Sequence, residues 1–270
     1  MEKDVDTESM PLENDICIKL KDVKFSYPYT DKQTISGINL TIPSGKIIGL
    51  VGLNGAGKST LIKLLCRLYD PTEGEILYGN KNIKQLNALE YRKQLGVVFQ
   101  DFNRYSFSAG ENIFFGNIHQ PYNPQRVKEA AEKSGIASFI ESFPDGYETT
   151  MGRIFEDSKE VSIGQWQKIA LARCFYSDAR FLIFDEASSA LDAVSEKELF
   201  GSFRDRIGNR GAVIISHRRS AILHADYIYV LADGKVVEEG TDEELMQRKG
   251  AYASIFNENA VAEKEKATTK

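Results

Sequence analysis

Cysteine, histidine and an excess of positive charge are all scarce in this 270-residue chain, which carries three Cys, three His and a formal net charge of −5. The cysteines, Cys17, Cys66 and Cys174, stand alone without CxxC spacing. That excludes a disulfide framework or a zinc site built on paired thiolates, and it suits a reducing compartment. The negative balance gives no field to hold a phosphate backbone, so neither DNA nor RNA is expected as the main partner. No apolar run approaches the ~20 residues that cross a bilayer. The start of the chain, MEKDVDTESMPLEND, is acidic and polar and reads as neither a signal nor a transit peptide. Present instead are 42% hydrophobic and 27% charged residues, a balance that builds one large α/β domain or two small ones around a buried core.

Residues 1–15 read as a polar leader or linker and 258–270 as a polar tail, leaving 16–257 to fold. Alternation at Ile16, Ile18, Leu20, Val23 and Phe25 predicts a half-buried strand, and 37–42 a second one, closed by the turn Pro43-Ser44-Gly45. The runs 47–51, 96–99, 181–184 and 212–215 are short and continuously apolar, as in a parallel sheet covered on both faces. Helical periodicity takes over between 124 and 176, so 101–177 is expected to form a helical insertion. The stretch 227–239, with Ala232-Asp233-Gly234 at its middle, predicts a hairpin. Strands alternating with helices give a mainly parallel α/β fold.

The run 47–51 leads directly into Gly52-Leu53-Asn54-Gly55-Ala56-Gly57-Lys58-Ser59-Thr60, followed by the helix-forming stretch 61–65. Gly52, Gly57, Lys58 and Ser59 satisfy G-x-x-x-x-G-K-[ST]. Glycines let backbone N–H groups converge on a phosphate at a helix N-terminus. Lys58 supplies a mobile charge to the β/γ oxygens, and the Ser59 hydroxyl can ligate Mg²⁺. A glycine-rich turn alone would be unremarkable; the strand before it and the helix after it favour binding of ATP with Mg²⁺. Asp185 and Glu186 end the apolar run 181–184, at the edge where open α/β sheets collect ligands. Asp185 suits a Mg²⁺ ligand and Glu186 a base for the attacking water. His217, after 212–216, falls on the same edge, although a lone histidine is as compatible with a structural role.

Val161-Ser162-Ile163-Gly164-Gln165 opens the next helix and resembles the signature motif, LSGGQ, of ATP-binding cassette (ABC) proteins. Tyr27 matches that family's adenine-stacking aromatic, Gln100 its Q-loop glutamine, Ser189-Ala190-Leu191-Asp192 its D-loop and His217 its switch histidine. The resemblance spans about 16–256. It implies a P-loop NTPase fold with a mainly parallel sheet core, an N-terminal antiparallel β subdomain and an inserted α-helical subdomain. It also implies Gln100 as a catalytic and Mg²⁺-binding residue, and head-to-tail pairing with a second nucleotide-binding domain. In that pairing Ser162, Gly164 and Gln165 cover the ATP held by the partner; Ser162 is a natural N-cap, so the helix start is itself an anion site.

Gly152 to Glu160, with Glu156, occupies the place of the exporter X-loop, and the stretches around Gln100 and Gln165 resemble bacterial exporters of lantibiotics and other peptides. This implies a transmembrane exporter domain as partner, an amphipathic or peptide cargo, and a location at the cytoplasmic face of the cell membrane. The alternative is a soluble ABC ATPase of translation or DNA repair, which the single cassette and acidic balance disfavour. Phe102, Tyr105, Phe107 and Phe114 read either as helical-domain core or as a pocket for a coupling helix. Two signature positions depart from the family pattern, Val161 for leucine and Ile163 for the first glycine, so a working but slower site is expected.

Overall fold

In the computed structural model, which describes residues 9–11, 16–30, 32–152 and 161–257, the first alternating stretch becomes β1 (Cys17–Ser26) and the second predicted strand lies within β2 (Gln33–Pro43), which pairs antiparallel with β1. β3 (Ile47–Gly52) and helix α1 (Lys58–Leu65) flank the glycine loop. The chain then returns through β4 (Glu73–Tyr78), which pairs with β1, and β5 (Lys81–Asn82), completing an antiparallel sheet in the order β2-β1-β4-β5. The sequence patterns assign nothing to 66–94, where β4, β5 and the short helix α2 (Ala88–Arg92) lie.

A second sheet is built from β3, β6 (Leu95–Val98), β7 (Phe181–Asp185), β8 (Gly211–Ile215), β9 (Tyr227–Ala232) and β10 (Lys235–Gly240), in the order β10-β9-β3-β8-β7-β6. Every neighbouring pair is parallel except the β9–β10 hairpin. Among the described residues, four α-helices lie between β6 and β7: α3 (Ala109–Phe114), α4 (Pro124–Ser134), α5 (Ala137–Glu141) and α6 (Ile163–Tyr176). The rest follow in sequence as α7 (Ala193–Gly201), α8 (Phe203–Ile207), α9 (Arg219–Ile222) and α10 (Asp242–Arg248), with a last helical stretch over 251–257. This is the α/β architecture expected: a mainly parallel sheet, a separate antiparallel sheet and an inserted set of helices.

The period-two alternation of strands divides the core in two. Ile48 and Leu50 of β3, Phe181 and Ile183 of β7, and Val213 and Ile215 of β8 face α1 and the antiparallel sheet. Their neighbours Ile47, Val51, Leu182, Phe184, Ala212 and Ile214 face the opposite way, onto the helices between β6 and β7 and those nearer the C-terminus. Buried on both sides, these strands have no polar face, which is why they read as unbroken apolar runs.

A polar knot ties the helical part to the segment that follows β6. Arg173 of α6 donates through Nε to the Asn112 carbonyl (2.8 Å) and through Nη2 to Asn112 Oδ1 (2.6 Å). Its Nη1 reaches the Asn103 carbonyl at 2.6 Å. Asn112, fully buried, donates in turn to the Tyr105 and Phe107 carbonyls at 2.9 and 3.1 Å. Burial pulls the Arg173 guanidinium down to about 10. The loop from 101 to 108 is thereby held by a helix more than sixty residues away in sequence. Among the described residues, no helix is long and apolar enough to cross a membrane.

Candidate nucleotide site

Three strands that are neighbours in the parallel sheet, β3, β8 and β7, end at one edge. Each carries a polar group just past its last apolar residue: the glycine loop after β3, His217 after β8, and Asp185 with Glu186 at the end of β7. A cleft of about 210 Å³ opens there, lined by Asn54, Gly55, Gly57, Lys58, Ser59, Thr60, Gln100, Asp185, Glu186 and His217, and also by Thr34. Thr34, near the start of β2, carried no sequence signal.

The loop's shape requires its glycines. Gly57, the N-cap of α1, has φ 103° and no side-chain cap, so the first-turn N–H groups of the helix are left for an anion. A Cβ at Gly52 would sit 2.4 Å from the Leu231 carbonyl oxygen, so β9 packs against the loop at backbone distance. The hairpin turn after β9 adds a Gly234 N–H bond to the Ala56 carbonyl (3.2 Å). Lys58 folds back into the loop, donating to the Gly52 and Leu53 carbonyls at 2.6 and 3.1 Å. Burial lowers its affinity for the proton, and the charges of Glu186 and Asp185 oppose that.

The two acids differ in surroundings. Asp185 is buried, and burial raises its carboxyl against the pull of Lys58. Glu186 is pushed up to about 7 by burial and then by the Asp185 charge, while Lys58 and the His217 backbone N–H act the other way. Among the described residues its buried Oε1 has no hydrogen-bond partner, and it lies 3.6 Å from His217 Nε2. A carboxylate raised toward neutral pH, with one oxygen open to the cleft, suits a group that takes a proton from water. Burial and Lys58 hold the His217 imidazole below its usual range.

Among the described residues, no three His, Cys, Asp or Glu side chains cluster as a metal cage. Ser59, Gln100 and Asp185 instead bring oxygen donors to the cleft. Such a sparse set suits Mg²⁺, which takes one or two protein carboxylates and completes its shell with phosphate and water.

Other residues singled out by sequence lie outside the cleft. Tyr27 does not line it, but its hydroxyl meets Thr60 Oγ1 at 3.1 Å and its ring packs edge-on against Phe25 and Tyr69. Ser162, Gly164 and Gln165 are also absent from its walls. Ser162 caps α6 as expected, and a capping box forms: Gln165 N donates to Ser162 Oγ (3.3 Å), and Ser162 N to Gln165 Oε1 (2.8 Å). Ile163 is exposed. Of the X-loop stretch only Gly152 is described; Glu156 lies outside the described residues. Phe102 and Phe114 pack against the larger core cluster, whereas Tyr105 and Phe107 are exposed and lean edge-on against Phe115.

A glycine loop at the C-terminal edge of a parallel sheet, with a lysine, a serine and two acids in one cleft, defines a P-loop nucleoside-triphosphate-binding domain. The model of the family "ABC transporter" matches residues 35–189. The chain is 39% identical over 249 residues to ABC transporter B family member 28 of Arabidopsis thaliana, covering 92% of this chain and 34% of that protein. It is 40% identical over 243 residues to the subtilin transport ATP-binding protein SpaT of Bacillus subtilis, covering 88% and 39%. With the ATP-dependent lipid A-core flippase of Escherichia coli (strain K12) it shares 37% over 238 residues, covering 88% and 40%. The solved structure of a bacterial Atm1-family ABC exporter with ATP bound superposes with a TM-score of 0.85 at 32% identity, over 95% of this chain and 45% of that one. The chain belongs to the ABC transporter family, and as a domain of that family it binds ATP. It spans between 34% and 40% of the length of these three curated relatives.

Proposed function

We propose that this chain is the ATP-hydrolysing domain of an exporter and that it turns over efficiently only when paired head to tail with a second such domain. The observation that carries this reading is the split between the two anion-binding features: the cleft holds Lys58, Ser59, Glu186 and His217, while the capped start of α6 with Ser162 and Gly164 lies outside it. A second copy, or a related partner, completes each site. Lys58 and the loop N–H groups hold the β- and γ-phosphates, and Tyr27 stacks on the adenine. Ser59, Gln100 and Asp185 would hold Mg²⁺, which when bound neutralises phosphate charge. Glu186 orients and deprotonates the attacking water, and His217 contacts the γ-phosphate side. Ser162, Gly164 and Gln165 of the opposing domain close over the nucleotide.

The coupling surface differs from the four aromatics read in sequence, because Phe102 and Phe114 are partly buried against the larger core cluster. Tyr105 and Phe107 lean on Phe115, which also lines a separate groove of about 570 Å³ bordered by the exposed Leu89 and Ile118 and by Arg92. An amphipathic helix of a membrane domain fits this apolar rim. Relatives named for subtilin transport and for lipid A-core flipping support a peptide or other amphipathic cargo, and with it a location at the cytoplasmic face of the cell membrane.

The test is the order of the reaction in protein. Specific ATPase activity of the purified chain is expected to rise with protein concentration while ATP binding per chain stays constant, because a dimer hydrolyses and a monomer binds. Specific activity that stays flat from nanomolar to micromolar chain would overturn the shared-site reading.

A further inference from the structure

Glu186 has an unusual backbone. Its φ is 51°, a left-handed conformation that non-glycine residues seldom adopt and that persists only where the surroundings enforce it. Two backbone bonds help: Glu186 N–H donates to the Ile215 carbonyl, and the Glu186 carbonyl accepts from Ser189 N–H, both at 3.0 Å.

A side chain supplies the remainder. Gln167, on the second turn of α6, is 1% exposed and directs its whole amide at the turn 186–190. Its Nε2 donates to the Glu186 carbonyl at 3.1 Å and to Ser189 Oγ at 3.3 Å, and its Oε1 accepts from Ala190 N–H at 2.9 Å. A buried primary amide has no water to turn to, so these contacts fix it as firmly as they fix the turn. The helix is also held at backbone distance, since a Cβ at Gly164 would lie 2.9 Å from the Ala190 carbonyl oxygen. Just beyond, Lys168 Nζ donates to Ser195 Oγ (3.0 Å), which donates to Asp192 Oδ2 (2.8 Å).

We propose that Gln167 is the positioning residue for Glu186: its amide holds the left-handed turn closed and so sets where the Glu186 carboxylate stands against the phosphate cleft. The inference rests on the assignment of Glu186 as the base. It adds that the base's placement is tied to the same helix whose first turn carries Ser162 and Gly164, so that a shift at the start of α6 is felt at Glu186.

The test uses the full chain with Gln167→Met, close in length but unable to make these hydrogen bonds, and Gln167→Glu, which keeps the acceptor for Ala190 N–H and loses both donors. Turnover number, KM and the Kd for ATP measured without turnover are compared with the parent and with Glu186→Gln. Each Gln167 variant is expected to lose at least roughly tenfold in turnover number, with Kd and KM within about twofold, since a misplaced base spoils attack geometry and not nucleotide binding. Should Gln167→Met not fold, Gln167→Glu carries the same expectation. A crystal structure of a slowed variant is expected to show the Glu186 turn displaced. Full turnover in both Gln167 variants, with Glu186→Gln inactive, overturns the inference and leaves the base assignment standing. Full turnover in Glu186→Gln removes the assignment itself.

Discussion

Glu186→Gln is expected to reduce ATP turnover by about 10²–10⁴-fold, the range that a positioned proton acceptor contributes, while leaving ATP binding intact. The amide matches the carboxylate in size but cannot take the proton from water. Glu186 stands at about 7 because burial and the Asp185 charge disfavour its ionised form, which places its proton affinity near the working pH. The groups proposed to hold the phosphates, Lys58, Ser59 and the loop N–H groups, are untouched by the substitution. Bound ATP therefore persists, and the paired state it promotes should accumulate as a faster-eluting species with ATP in size-exclusion chromatography. Turnover equal to that of the parent would move the proton acceptor elsewhere, with His217, 3.6 Å from Glu186, the first place to look.

Arg218→Met is expected to destabilise the fold by about 2–4 kcal/mol, in the range for removing one partner of a buried ion pair, placed low because Arg218 is itself 37% exposed. Its partner Glu196 is only 4% exposed and receives the Arg218 guanidinium on one oxygen and the Ser220 hydroxyl on the other, the latter at 2.8 Å. Without Arg218, Ser220 alone remains to satisfy a buried carboxylate. At about 2–4 °C per kcal/mol for a chain of this size, the melting midpoint should fall by roughly 5–15 °C. Adding Glu196→Leu should recover much of that loss, because the cost lies in the stranded charge. A single variant that melts with the parent, or a double variant that melts lower than the single one, would count against the ion pair as the source. Arg218 also reaches the Leu191 carbonyl at 3.3 Å and follows His217 directly, so the melting and activity of this variant are best measured together.

The parts of the fold legible in sequence are those where one physical requirement acts alone. β3, β7 and β8 are buried on both faces, so their composition is almost uniformly apolar, and each runs on into residues that line the cleft where the sheet edge is reached. The cap at Ser162 was equally readable, because a cap is a local hydrogen-bonding problem. β4 was not readable: its pattern is exposed at Glu73 and Gly74 and buried only from Ile76 to Tyr78, too short for alternation to show. In α3, Phe114 packs into the core while Phe115 beside it lines the groove, and which one turns inward depends on how the helix meets α6. Gln167 left only a faint trace, a glutamine amid the apolar positions of a helix, and its partners at 186–190 are a tertiary fact. The family resemblance implies an adenine contact for Tyr27, while its hydroxyl meets Thr60, a link that spacing cannot express.

The capped start of α6 lies outside the chain's own cleft, and in the proposed head-to-tail pair this has a genetic consequence. Glu186→Gln damages the site that its own chain cradles, whereas Ser162→Ala damages the site cradled by the neighbour. Two chains, each inactive or slow with itself, then complement when mixed: in the hybrid pair both lesions fall on one site and the other is whole. Random exchange of equal amounts should restore about one quarter of the parental sites, half the pairs being hybrid with one good site each. Lesions that both belonged to one chain's private site would each spoil a separate site of the hybrid, and mixing would restore nothing.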